Sequence, residues 1–61
     1  MLVKDLINLI DYPDDVTVQI YSYVEDDIVY VGLGEDIPYN ILEEVVKGIE
    51  FPEKNCVLIN F

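Results

Sequence analysis

Gly34-Glu35-Asp36-Ile37-Pro38-Tyr39-Asn40-Ile41-Leu42, continuing as Glu43-Glu44-Val45-Val46-Lys47-Gly48-Ile49-Glu50-Phe51, is the stretch whose reading decides the fold. Gly34 breaks whatever precedes it. Asp36 can cap a helix that carries Pro38 in its first turn, where the missing N–H costs nothing. Ile41, Leu42, Val45, Val46 and Ile49 fit a helical stripe, with Glu43 and Lys47 at i,i+4 and Gly48 as a C-terminal stop. The same residues from 45 to 51 also read as a β-branched strand. A helix through 47 leaves a three-stranded sheet and two helices. A short helix followed by a strand makes two hairpins.

The flanks are clearer. Residues 2 to 11 read as a helix, with Leu2, Leu6, Leu9 and Ile10 on one stripe and Val3 and Ile7 beside it. Leu2 stands where a Ser or Thr cap would serve. Tyr12-Pro13 ends the helix, because the residue before proline avoids the α region. Asp14-Asp15 turns the chain into a strand over Val16 to Val24. There Val16, Val18 and Ile20 face one way, and Thr17, Gln19, Tyr21 and Tyr23 face the other. Glu25-Asp26-Asp27 is the turn, and Ile28 to Leu33 is the second strand. Placing Val29, Val31 and Leu33 beneath the helix sets Ile20 opposite Val31 and Val18 opposite Leu33. Tyr21 then lies opposite Tyr30, and Tyr23 opposite Ile28, on the outer face. Cys56 to Phe61 is the last strand. If 45 to 51 is a strand, Phe51 opposes Val57 and Ile49 opposes Ile59.

The totals bound the rest. Sixty-one residues make a single domain, 1–61. A chain of this size buries only about 60% of its unfolded surface. Cys56 is the only cysteine and there is no histidine, so neither an internal disulfide nor a Cys/His metal site can reinforce it. No cofactor is expected. The apolar content of 52%, with five tyrosines, is that of a folded chain and not of an acidic tail. No apolar run is long enough to span a membrane, and Asp5 falls inside what would be a signal segment. With a lone thiol, these features point to the cytoplasm.

Thirteen acids against three lysines give a net charge of −10. Such a surface repels nucleic acid and anionic membranes and attracts basic proteins. Acidity also keeps a small, apolar-rich domain apart from its copies. The carboxylates cluster as Asp14/Asp15, Glu25/Asp26/Asp27, Glu35/Asp36 and Glu43/Glu44. A glycosidase pair needs a cleft that this chain is too short to build. A calcium loop needs spaced ligands and a turn glycine, which Glu25-Asp26-Asp27 lacks. Turn chemistry and helix capping account for each pair by itself. Their sum is what suggests a surface that imitates DNA phosphates for a basic groove.

Tyr21, Tyr23 and Tyr30 with Ile28 should form a patch on the sheet face away from the first helix. Tyrosine suits interfaces, and it equally serves as a cross-strand pair on an exposed face. With Glu25, Asp26 and Asp27 beside it, this patch is the expected interaction surface. Gly32-Leu33-Gly34 is too short for a phosphate loop, and no cation follows it. Cys56 reads as a small core residue.

Val3-Lys4-Asp5-Leu6-Ile7, Pro13-Asp14-Asp15 and Val16-Thr17-Val18-Gln19-Ile20 together resemble the opening of many small proteins encoded by bacterial viruses and prophages. Asp36-Ile37-Pro38-Tyr39-Asn40-Ile41-Leu42, with Val46, Ile49 and Val57-Leu58-Ile59, is similar to their second half. The chain departs from that pattern at Leu2. The resemblance implies a short Ile-Pro-Tyr helix, a strand over 45 to 51 and an accessory protein of a phage or mobile element, with no catalytic residue to carry over. The expected fold is α+β: helix, β-hairpin, short helix, β-hairpin, forming a small antiparallel sheet with a helix on one face. The expected function is non-catalytic protein binding: inhibition of a host defence system, a CRISPR effector or restriction enzyme, in the host cytosol. The alternatives are a homo-oligomeric assembly module and a sponge for an immune-signal nucleotide. The lack of arginine weighs against the sponge.

Overall fold

Alternation of apolar and polar residues builds two hairpins, and a helix precedes each of them. A computed structural model describes residues 1–10 and 15–61. In chain order the elements are α1 (Val3–Leu9), β1 (Thr17–Ser22), β2 (Asp27–Leu33), a 3₁₀ turn (Gly34–Asp36), α2 (Tyr39–Leu42), β3 (Gly48–Glu53) and β4 (Cys56–Asn60). The α+β class and the order helix, hairpin, short helix, hairpin hold. The Tyr12-Pro13 stop and Asp14 lie outside the described residues. Among the described residues, no helix is long and apolar enough to cross a membrane.

The sheet order is β2-β1-β4-β3. Each hairpin is antiparallel, but the two are joined by a parallel ladder between β1 and β4, pairing Val18 with Val57 and Ile20 with Ile59. The sheet is therefore mixed, not antiparallel throughout. The cause lies in the connector. β2 ends beside the start of β1, whereas β3 begins beside the end of β4. Residues 34–47 must carry the chain from one end of the sheet to the other. Parallel neighbours need such a crossover of a dozen or more residues, and this segment supplies it.

The crossover also completes the core. Ile37 and Ile41 join Val3 and Ile7 of α1 against Val18, Ile20, Val57 and Ile59 of the central strands. Ile20, Ile59, Val3 and Val18 are fully enclosed. Each such side chain contributes about 1.5–3 kcal/mol by leaving water. The helix seam runs through Val3 and Ile7, with Leu6 and Ile10 flanking it; Leu9 is turned out to solvent.

α2 stops after one turn because its neighbours use the backbone differently. The Val3 amide donates to the Glu44 carbonyl at 2.9 Å, and the Val46 amide to the Met1 carbonyl at 2.8 Å. These bonds flank a bridge between Leu2 and Val45. The Val3 bond also satisfies one of the amides that the start of α1 leaves open. The Asp5 carboxylate accepts the Leu2 amide at 3.0 Å, the half of a capping box that needs no Ser or Thr. Asp36 does not cap α2. It lies in the 3₁₀ turn, and the Pro38 carbonyl opens the helix by accepting from Ile41 and Leu42. Glu43 bonds to Lys4 of α1 at 3.2 Å and so ties α2 to α1, in place of the i,i+4 partner Lys47.

Two registers differ from the expected ones. In the first hairpin Ile20 opposes Tyr30 and Val18 opposes Gly32; beyond a bulge at Val29, Tyr21 opposes Ile28. Tyr30 therefore shares the covered face with Ile20, while Val31 and Leu33 face outward opposite Gln19 and Thr17. Gly32 makes room for this. A Cβ there would stand 2.7 Å from the Tyr30 hydroxyl, which donates to the Leu33 carbonyl. In the second hairpin Ile49 opposes Ile59 as expected, but the register slips between Glu50 and Glu53. Phe51 is left exposed and does not oppose Val57.

A domain of this length holds only ~3–5 kcal/mol of net stability. Truncating a fully enclosed isoleucine removes about 2–5 kcal/mol. Ile20→Ala and Ile59→Ala should each leave a largely unfolded population in urea titrations followed by circular dichroism. Ile49→Ala, at the half-exposed edge of the same row, should shift the midpoint far less.

Candidate functional site: the open sheet face and its acidic turn

Residues paired across neighbouring strands share a face. On the face away from the helices the registers bring together Ile28, Val31 and Leu33 of β2, Thr17, Gln19 and Tyr21 of β1, Leu58 and Asn60 of β4, and Glu50 of β3. Glu53, paired through Cys56 with Thr17, joins it, so in a chain of net charge −10 the charges on that face are the two glutamates of the outer strand β3. The core helices pack on the other face. Val31 is 61% exposed, Ile28 41% and Leu33 38%.

At one end stand the tyrosines. Tyr21 and Tyr23 meet edge to face, ring centroids 5.3 Å apart. This is a favoured aromatic geometry. Tyr21 lies across from Ile28. The structure thus assembles Tyr21, Tyr23 and Ile28 as one patch and separates Tyr30 from it. Tyr30 packs on the core, and burial raises its phenol above the ordinary tyrosine value, with the Asp36 carboxylate adding to the effect. Its place in the surface patch is corrected by the register: at odd-numbered Val31 and even-numbered Tyr30 either parity gives β2 an apolar face, and the bulge at Val29 decides between them.

The turn runs over Tyr23–Asp26, beginning two residues before Glu25 and ending one before Asp27. The Ser22 hydroxyl is buried and accepts the Glu25 amide at 3.3 Å, and the Ser22 carbonyl accepts the Asp26 amide at 2.8 Å. Asp26 has φ 54°, in the left-handed region that Asp and Asn enter more readily than most residues. Its carboxylate accepts the Tyr21 hydroxyl. The Asp27 carboxylate accepts the Ile28 amide at 2.7 Å. Two of the three acids therefore have structural partners, and the Glu25 side chain is the one left to a visitor.

Behind the turn, on the helix side, lies an open groove of about 750 Å³. Val24, Val29, Ile41 and Val45 form its apolar walls, with Glu25 and Lys47 at its rim. The acidic turn thus meets the groove through Glu25 and the sheet-face patch through Asp26. The sequence offered one signal for this groove: Val24 is an apolar residue in a turn, and it is 90% exposed. Among the described residues, no three acidic or thiol side chains gather as a metal site. Cys56 is buried and free. Comparison with protein families, with characterised proteins and with solved structures finds no match.

The Tyr21–Asp26 bond holds the Tyr21 proton, and with some burial raises the phenol above its ordinary value. A raised pKa means that this contribution to stability is complete below the unfolded tyrosine value and is lost as pH rises through the higher folded one. In a near-ultraviolet alkaline titration one tyrosine should ionise later in the wild type than in Asp26→Asn. Lys4 and Glu43 shift in opposite senses: the bond to Glu43 raises Lys4, and the bond to Lys4 lowers Glu43. Their mutual stabilisation is present above the ordinary carboxylate range and below the ordinary lysine range. It fades in acid as Glu43 is protonated and in strong base as Lys4 loses its proton. Lys4→Met should therefore flatten the wild type's stability profile at both ends, as read by thermal melts across pH.

Proposed function

We propose that this chain is a non-catalytic binding protein whose partner is a protein with a basic surface. One observation carries the reading: an almost uncharged aromatic and aliphatic sheet face lies beside the acidic turn, in a chain that is otherwise densely negative. An apolar centre with a charged border is the common anatomy of a binding surface. The acids steer a basic partner from a distance, and the rings and branched side chains supply the buried area.

Within this reading, the best-fitting role is that of a phage or mobile-element accessory protein acting in the host cytosol. It would occupy the basic nucleic-acid groove of a defence enzyme, such as a CRISPR effector or a restriction enzyme, with carboxylates standing where phosphates would. Such a role needs no cofactor and no catalysis from this chain. A second reading, an assembly module that pairs with its own copies, is favoured by the same uncovered face.

The test is capture of partners from host lysate at low and at moderate salt, followed by affinity measurement on the partner recovered. Binding should weaken at least tenfold between about 50 and 300 mM monovalent salt, as exposed charges are screened. Tyr21→Ala with Tyr23→Ala should weaken it at both salt concentrations, and neutralising Glu25 should reduce the salt dependence. Affinity indifferent to salt would overturn the acidic-surface reading. A stable dimer by light scattering with no captured partner would favour self-assembly.

A further inference from the structure

The two outer strands of the sheet are protected to different degrees. β3 carries Glu50, Pro52 and Glu53 and a slip in register, all devices that discourage another strand from pairing. β2, at the opposite edge, is Asp27-Ile28-Val29-Tyr30-Val31-Gly32-Leu33: no proline, no lysine, and one charge at its first residue. Its bulge is confined to Val29, so Tyr30–Leu33 pairs regularly with β1. Among the described residues β1 is the only strand that pairs with it. An exposed edge strand of this kind is a template for one more strand.

Charge decides what that strand can be. Glu25-Asp26-Asp27 precedes β2's apolar run, and Glu35-Asp36 follows it. If a second copy paired antiparallel through its own β2, each copy's Glu25-Asp26-Asp27 would meet the other's Glu35-Asp36. Acid would face acid at both ends. Like charges set across a strand pair are destabilising. The complementary strand has an apolar centre and cationic ends.

We propose that β2 is a docking edge for an extended segment of the partner, with alternating apolar residues flanked at both ends by Lys or Arg. This inference rests on the protein-binding reading above and names the partner's chemistry and the place it binds. The Leu33 carbonyl already accepts the Tyr30 hydroxyl and the Ile28 amide already donates to the Asp27 carboxylate, so the added strand runs along Val29–Gly32. Main-chain hydrogen bonds hold it, and its basic ends reach the two acidic clusters. On the outer face its side chains extend the row of Ile28, Val31 and Leu33.

The test uses a synthetic peptide of alternating Val and Thr with paired lysines at each end. It is titrated into the isotopically labelled chain while backbone amide signals are followed. Amides of Val29–Gly32 should shift most, and affinity should fall at least tenfold when alternate peptide amides are N-methylated or the lysines are replaced by glutamates. Val31→Lys, at a 61% exposed position, should keep the fold and lose at least tenfold in affinity. Val31→Thr should retain binding. Shifts centred on Tyr21 and Tyr23, or on Val24 and Val45 of the groove, would overturn the edge-docking inference while leaving the protein-binding reading intact. So would equal binding by the N-methylated peptide. Concentration-dependent shifts of β2 without peptide would overturn it in favour of a second copy. If neither the peptide nor any basic protein binds, both the inference and the reading beneath it fail.

Discussion

The parallel contact between β1 and β4 is the constraint on which the rest depends. It places Val18 beside Val57 and Ile20 beside Ile59, at the middle of a four-stranded sheet. Two hairpins that could each fold locally are thereby fused into one core. The fusion is non-local, and its loop-closure entropy must be overcome before the contacts form. The crossover over 34–47 meets that requirement by burying Ile37 and Ile41 on the way. Met1 and Val3 then hold the far end of the crossover by their bonds to Val46 and Glu44. The segment that looked like a connector is thus one wall of the core.

Local pattern made much of this legible. The first, second and last strands and the first helix follow from alternation or helical spacing, whereas the strand after Lys47, and with it the Ile49–Ile59 pairing, competed with a helical reading of the same residues. The parallel joint was not legible, because a connector's length permits a crossover without requiring one. The first hairpin's register failed for a different reason. Val29, Val31 and Leu33 alternate with Ile28 and Tyr30, so apolar residues stand on both sides of β2 and parity carries no information. Only the bulge, and the room that Gly32 leaves for the Tyr30 ring, separate the two choices. Of the expected surface, Tyr21, Tyr23 and Ile28 came together because they follow β1's unambiguous outer face and its partner across the ladder. Tyr30 did not, and Val31 and Leu33 took the exposed positions.

The acids divide into two groups once their partners are known. Asp5, Asp26, Asp27 and Glu43 accept hydrogen bonds from Leu2, Tyr21, Ile28 and Lys4. These are the turn and capping duties that explain Asp and Glu in small folds. Glu25, Glu35 and Asp36 lie exposed at the two ends of β2. The total of −10 therefore overstates the charge that is free of structural work and understates how it is arranged. Glu25, Glu35 and Asp36 bracket one apolar strand, while Asp15, Glu44, Glu50 and Glu53 are exposed elsewhere.

That arrangement follows in part from size. One helix of two turns and another of a single turn can cover only one face of four strands, so the other face stays open whatever its residues are. A chain selected only for solubility would place charges along that face and its edges, as β3 does with Glu50 and Glu53. β2 has apolar residues at the same exposed positions and keeps its acids at its first residue and beyond both ends. Apolar side chains there weaken the case for solubility as the sole cause, because each raises the risk of edge-to-edge association that the flanking charges must then oppose. An edge that takes up a strand as proposed, between two acidic clusters, would be selective by construction. It would discriminate through the charge at the ends of an approaching segment and the apolar residues between them.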